Sequence, residues 1–138
     1  MFDLATLRLV TLTISAKLFL AAAILQALAQ DCCDSNGPFT LGEGFPKAPA
    51  TCETIAYWAP RAPEVAGRIS FGITGELTSV KFDGALAYLT MCDTPGPQVL
   101  CVTYSTNGLK AGDKVAFAGG YNEAGGRVIL DPCLASLE

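Results

Sequence analysis

The chain has no histidine among its 138 residues, and that absence removes a large share of ordinary active-site chemistry. Without an imidazole there is no Ser-His-Asp or Cys-His relay, no His-ligated haem and few of the common metallohydrolase ligand sets. General acid–base work would fall to carboxylates, Lys or Tyr. No Cys-x-x-Cys occurs either, which removes the usual thiol-oxidoreductase signature. A zinc site would have to gather at least three thiolates or carboxylates, so neither a metal nor a cofactor is expected.

Also missing is an apolar run long enough to cross a bilayer, which takes roughly 20 residues. What stands near the N-terminus is shorter. Arg8 and Lys17 supply positive charge, Leu18 to Leu28 is an uncharged run, and Ala27-Leu28-Ala29 is a small-x-small cleavage site before Gln30. Residues 1–29 therefore read as an export signal rather than an anchor, and contact with the membrane would be transient. A lipid-modified cysteine is not expected, because Asp31 rather than a small residue precedes Cys32.

Positive charge is scarce as well. Of nine Lys or Arg and thirteen Asp or Glu, removal of residues 1–29 takes away Arg8, Lys17 and Asp3, leaving seven against twelve and a charge near −5. Nucleic-acid affinity comes mostly from neutralising phosphates with Lys and Arg, so this balance predicts no nucleic-acid partner. The six cysteines, Cys32, Cys33, Cys52, Cys92, Cys101 and Cys133, all lie beyond the cleavage point. An even count behind an export signal is the pattern of a disulfide framework in an oxidising compartment. The expected location is periplasmic or secreted.

Residues 30–66 have the composition of an irregular arm. Five prolines from Pro38 to Pro63, with Gly37, Gly42 and Gly44, break any long helix or ladder. At most Thr51 caps one or two turns through Ile55 and Tyr57 before Pro60. Phe39, Phe45, Ile55, Tyr57 and Trp58 give the arm something to bury against the rest.

From Val65 to Phe82 the pattern is a strand with Ile69, Phe71 and Ile73 on one face, and Gly72 and Gly75 mark places to bend. Asp83-Gly84 signals a tight two-residue hairpin leading to a second strand, Ala85 to Cys92. After the Asp93-Thr94-Pro95-Gly96-Pro97 turn, Gln98 to Tyr104 forms a third. Lys114 to Ala118 and Arg127 to Leu130 are the last two, joined by a connection bracketed by Gly119, Gly120, Gly125 and Gly126.

Five strands in this order resemble the oligonucleotide/oligosaccharide-binding (OB) fold, a small partly open barrel. The resemblance rests on Thr74-Gly75-Glu76-Leu77 in a bent first strand, on Cys101-Val102-Thr103-Tyr104 in the third, and on Leu109-x-x-Gly112-Asp113-x-Val115 with Gly119 leading into the fourth. It spans Gly67 to Asp131, within a barrel domain expected over residues 67–138, and resembles small exported bacterial members. The fold class expected is all-β, a disulfide-stapled five-stranded OB-like barrel carrying the arm; a short β-sandwich is the competing arrangement. The exported members resembled are associated with envelope stress and small charged ligands, which is a fold analogy and not a site argument.

If Gly96-Pro97 is the tip of its hairpin, Cys92 and Cys101 face each other across it and a cross-strand bridge follows. Cys133 then seeks a partner in the arm, Cys52 first, with Cys32 or Cys33 close behind. Six cysteines allow fifteen pairings and spacing does not choose among them. The adjacent Cys32-Cys33 pair also admits a redox-active reading.

The acidic residues sit mostly at turns, Asp83, Asp93, Asp113 and Glu123 among them, where turn preference explains them better than catalysis. The chain is not expected to be an enzyme. With Ile69, Phe71, Ile73, Ala87, Leu89, Met91, Leu100, Val102 and Tyr104 pointing inward, the outer face shows Thr74, Tyr88, Thr90 and Thr103. Beside them lie Tyr121, Asn122, Glu123 and Arg127 of the last hairpin. These eight are the candidate ligand-binding residues, and the partner expected is a small polar ligand or an envelope protein. The reading is an exported, non-catalytic binding or accessory module; the alternatives are a structural subunit of a larger envelope complex, or a thiol redox protein using Cys32-Cys33.

Overall fold

The computed structural model describes Cys33, residues 36–93 and residues 96–138. The proposed export signal, Cys32 and the Thr94-Pro95 part of the turn lie outside the described residues.

Seven strands build the domain: β1 (Phe39–Leu41), β2 (Ala50–Thr51), β3 (Ile69–Phe82), β4 (Ala87–Met91), β5 (Val99–Thr103), β6 (Lys114–Ala124) and β7 (Arg127–Leu137). One turn of helix, α1 (Ile55–Trp58), runs into a 3₁₀ turn over Ala59–Arg61. The last five strands follow each other as β3-β4-β5-β7-β6, and β6 returns to pair with β3, closing a barrel. One step in that ring is parallel, β5 with β7, and the rest are antiparallel. A meander, a parallel step and a closing hairpin make the OB-like barrel.

β3 serves two neighbours in turn. Ser70 to Glu76 pair with β6, and Leu77 to Phe82 pair with β4. The change of partner falls at a bulge between Leu77 and Ser79, which bends the strand so that the sheet can close. Gly75, two residues earlier, lies under the Cys52 Sγ: an added Cβ would stand 3.1 Å from that sulfur and 3.1 Å from Met91 Sδ. The bend and the disulfide thus meet at a residue with no side chain.

The Leu109-x-x-Gly112-Asp113-x-Val115 stretch docks on that same bulge. Gly112 N–H donates to Leu77 O at 2.8 Å, and Leu77 N–H donates to Asp113 O at 2.9 Å. Gly112 has φ +95°, a region that disfavours side chains. The Asp113 carboxylate accepts the Lys110 N–H at 2.9 Å, while Leu109 and Val115 enter the core. Each position of the motif has a backbone or packing reason.

The barrel is filled by Phe71, Ile73 and Leu77 from β3, Leu89 and Met91 from β4, Val99 from β5, Val115 and Phe117 from β6, and Val128 and Leu130 from β7. The arm adds Phe39, Ala50 and the fully buried Ile55 to this core. Burial of a Phe or Ile contributes about 1.5–3 kcal/mol, so these few side chains hold a segment with little regular structure. β1 runs antiparallel to the start of β3 (Phe39 opposite Phe71), and β2 lies parallel further along it (Ala50 beside Ile73). Between them the arm covers the β3 edge not yet taken by β4.

Several expectations need correction. β5 is turned over: Val99 and Cys101 are fully buried, whereas Leu100 and Val102 face outward and Tyr104 is 78% exposed. The reason is register. Leu89, not Cys92, lies opposite Cys101, because Met91 pairs with Val99 and the connection is not centred on Gly96-Pro97. The pairing is three residues from the expected one, and an odd slip exchanges the faces of a strand. No bridge therefore joins Cys92 to Cys101, nor Cys52 to Cys133. Cys52 is bonded to Cys92 with Cα atoms 5.1 Å apart, and Cys101 to Cys133 with Cα atoms 5.4 Å apart. Cys101 faces the interior at the β5–β7 step, where Cys133 arrives from the neighbouring parallel strand.

The hairpin after β3 turns on Gly84-Ala85 rather than Asp83-Gly84. Asp83 and Leu86 flank the turn, the Asp83 N–H donating to Leu86 O at 3.1 Å. The Asp83 carboxylate accepts the Ala85 and Leu86 N–H groups at 2.8 and 2.7 Å, in the place a backbone carbonyl would take. In the last hairpin, only Gly125-Gly126 form the turn, both at positive φ, as a mirror-image two-residue turn demands. Gly119 and Gly120 lie inside β6. There β7 crosses so close that a Cβ on Gly119 would stand 2.4 Å from Pro132 O.

Candidate functional site

The eight candidate residues lie on different parts of the barrel. Tyr88 and Thr90 are on the outer face of β4, next to Leu100 and Val102 of β5. The Tyr88 hydroxyl donates to Asp83 Oδ2 at 3.0 Å, which raises the phenol's pKa through that bond; Asp83 is held below its ordinary value mainly by the Leu86 and Ala85 N–H groups. Thr90 is buried, its Oγ1 within 3.1 Å of Ser79 Oγ. These two belong to a hydrogen-bonded sheet face.

Thr74 lines a groove of about 820 Å³ with Thr51, Glu76, Thr78, Lys114 and the Cys52–Cys92 bridge. Glu123 and Arg127 line a smaller depression beside Pro60 and Pro97. Asn122 turns back to donate to Gly120 O at 3.3 Å.

Tyr121 has a structural post. Its ring meets Phe39 and Phe71 edge-on at centroid distances of 5.2 and 5.5 Å. Its hydroxyl donates to Ala59 O at 3.3 Å and contacts the Glu123 carboxylate. Burial, then the bond to Glu123, raises the phenol well above its usual range. The residue ties the arm's helical turn to the barrel.

Thr103 lies in a different kind of place. It borders a cleft of about 470 Å³ that crosses β3, β6 and β7 and reaches the end of β5. The cleft's middle is the Gly119-Gly120 backbone, and around it stand Phe45, Tyr104 and Leu134, exposed by 55, 78 and 78%. Large apolar side chains left open to water together, rather than singly, mark a surface that something covers. Each is placed there by a local rule. Leu134 follows the inward Cys133 on β7 and so points out. Tyr104 leaves the barrel after the last paired residue of β5, and Phe45 belongs to the loop after β1, where Pro46 packs over Gly72.

Arg68 supplies the cleft's cation. Its Nη1 is 3.2 Å from Glu43 Oε1, with the two side chains 47 and 82% exposed, and its Nη2 donates to Asp131 O at 3.4 Å. The guanidinium lies along Gly120, where an added Cβ would be 3.1 Å from Nε. Ser70 is spent on Gly42 O at 2.6 Å. The cleft therefore offers an apolar body, one half-exposed guanidinium and one exposed carboxylate beside it.

Sequence reasoning missed Phe45, Arg68 and Leu134 and placed Tyr104 inside. The signal that was present was the strand alternation through Cys133-Leu134, had β7 been extended past Pro132. Arg68 and Phe45 fall in segments without periodicity.

No family model matches the chain, and no curated protein matches it. Among solved structures it is similar to the S. pombe Stn1-Ten1 complex, at 17% identity and a TM-score of 0.38, over 51% of this chain and 60% of that one. The assignment to an OB-like barrel rests on strand order, closure and the parallel β5–β7 step. One expectation falls here. The exclusion of nucleic acid rested on overall charge alone, and it is withdrawn, because OB-like barrels include ones that bind oligonucleotides. Net charge does not decide that question for this fold.

Proposed function

We propose that the protein is an exported, non-catalytic binding module whose ligand site is the cleft between Phe45, Arg68, Tyr104 and Leu134. The observation that carries this reading is the convergence of three exposed apolar side chains on one concavity. A ligand pocket is typically concave, mostly apolar, about 300–1,000 Å³ in volume and marked by few polar groups, and this cleft of about 470 Å³ fits that description. The site replaces the polar, threonine-rich patch as the place of binding, and the ligand class changes with it, from polar to amphipathic.

Export is supported by the signal-like residues 1–29 and by two disulfides that close the domain. The small exported bacterial members of the fold are the relatives this reading favours. A non-catalytic role is supported by the turn duties of the carboxylates, since Asp83 and Asp113 accept backbone N–H groups, and by the lack of any histidine.

The test is a thermal-shift screen of the secreted protein against small amphipathic compounds, run beside a single-stranded oligonucleotide. Stabilisation by an amphipathic compound that is lost in Leu134→Glu supports the reading. Binding of the oligonucleotide alone, unaffected by Leu134→Glu and lost in Tyr88→Ala, would move the site to the β4–β5 face and overturn it. Mass measurement of the exported chain should give a product beginning at Gln30.

A further inference from the structure

We propose that the cleft selects a small monocarboxylate with an aromatic body, the carboxylate taking the place of Glu43 on Arg68. This rests on the reading of the cleft as the ligand site and adds to it a chemical class and a competing internal group. The argument starts with the polar groups available. Arg68 is the cation among the cleft's described lining residues, and a guanidinium presents five N–H donors in a planar fork that matches a carboxylate. Two of its nitrogens are engaged, at 3.2 Å with Glu43 Oε1 and at 3.4 Å with Asp131 O, and both contacts are long for charge-assisted bonds.

The partner it holds is readily exchanged. Glu43 is 82% exposed, sits in the loop between β1 and β2, and loses little by returning to water, because exposed ion pairs of this kind are weak. An incoming carboxylate attached to an apolar body has an advantage that Glu43 lacks: its remainder is buried against Phe45, Tyr104 and Leu134. One guanidinium balances one negative charge. A phosphate dianion would bring a second charge that no other described lining residue balances, so a carboxylate is favoured over it. Two of the three apolar groups are aromatic rings, which favour a ring in the body through stacked or edge-on contact. Glu43 then acts as a placeholder that keeps Arg68 oriented when the cleft is empty.

The experiment is isothermal titration of the exported product with phenylacetate and with its neutral amide, phenylacetamide. Three proteins are compared: the native chain, Arg68→Gln and Glu43→Gln. Phenylacetate should bind the native protein more tightly than the amide. Arg68→Gln should weaken phenylacetate by about tenfold or more, as expected for loss of a charged hydrogen bond, while leaving the amide nearly unchanged. Glu43→Gln should tighten phenylacetate, because it removes the internal competitor, and a merely structural Glu43 would not do that. Equal affinity for acid and amide, or a Glu43→Gln protein that binds the acid more weakly, overturns the carboxylate inference while the cleft remains the site. Absence of binding by both compounds overturns the inference, and if Leu134→Glu also changes nothing in the broader screen, the reading of the cleft falls with it.

Discussion

Cys52 of the arm is bonded to Cys92 at the end of β4, where Cys92 takes a left-handed φ of +64°. The bond crosses over Gly75 and lines the open groove beside Thr74. It fastens the arm to the barrel at the point where β3 changes partners. The second bond, Cys101–Cys133, is buried in the core. The two should respond differently to reductant: with limiting dithiothreitol, Cys52 and Cys92 become alkylated first and Cys101 and Cys133 only as the domain unfolds. Mass mapping of alkylated peptides checks the order.

Replacement of both Cys52 and Cys92 by alanine should destabilise the domain by about 4 kcal/mol in the chain-entropy account, for a separation of 40 residues. Urea unfolding measures this, and hydrogen exchange should show the loss concentrated in β2 and α1.

Gly119 should tolerate no side chain. A Cβ there meets Pro132 O at 2.4 Å and Cys133 Cα at 2.9 Å, both of them backbone that cannot swing aside. Gly119→Ala is expected to cost about 3 kcal/mol, at the upper end for overpacking. Gly44→Ala, whose nearest neighbour would be the Thr40 hydroxyl oxygen at 3.4 Å, should be nearly neutral. Thermal melting of the pair separates a steric requirement from a general dislike of lost glycine.

Tyr121→Phe keeps the ring against Phe39 and Phe71 and removes the hydroxyl from Ala59 O and Glu123. The expected cost is about 1 kcal/mol, with faster amide exchange around Ala59–Arg61. In the native protein this phenol is raised by burial, so its neutral form is favoured by the fold. That contribution is complete below the ordinary tyrosine value of 10.0 and declines as pH rises beyond it. Absorbance at alkaline pH should show this tyrosine ionising after the others, together with unfolding.

Asp83 runs the opposite way. Its carboxyl is lowered below 3.8 by the Leu86 and Ala85 N–H groups, so its contribution is present above that value and fades as pH falls through the lower, folded-state value. Asp83→Ala should remove that part of the acid dependence and loosen the β3–β4 turn. An NMR titration of the carboxyl carbon checks the direction.

Much of the barrel was legible because its signals are local. The alternation through Ile69, Phe71 and Ile73 and the Leu109 to Val115 motif each report on neighbours a few residues apart. Disulfide pairing was not legible, because it depends on the register of β4 against β5, and that register sets Met91 opposite Val99 rather than following a turn centred on Gly96-Pro97. The same slip carried Cys101 into the core and Tyr104 out of it. The cleft was hidden for a related reason. Phe45 and Arg68 come from segments without periodicity, and Leu134 from a strand that continues through a proline; only the closed sheet brings them together around Gly119 and Gly120.

The most direct measurement of the central claim is a map of the protein's backbone amide shifts during titration with phenylacetate. The account predicts that the largest changes cluster at Phe45, Arg68, Gly119, Gly120, Tyr104 and Leu134, and vanish in Leu134→Glu. Changes centred instead on Tyr88, Thr90, Leu100 and Val102, or none at saturating ligand, would contradict it.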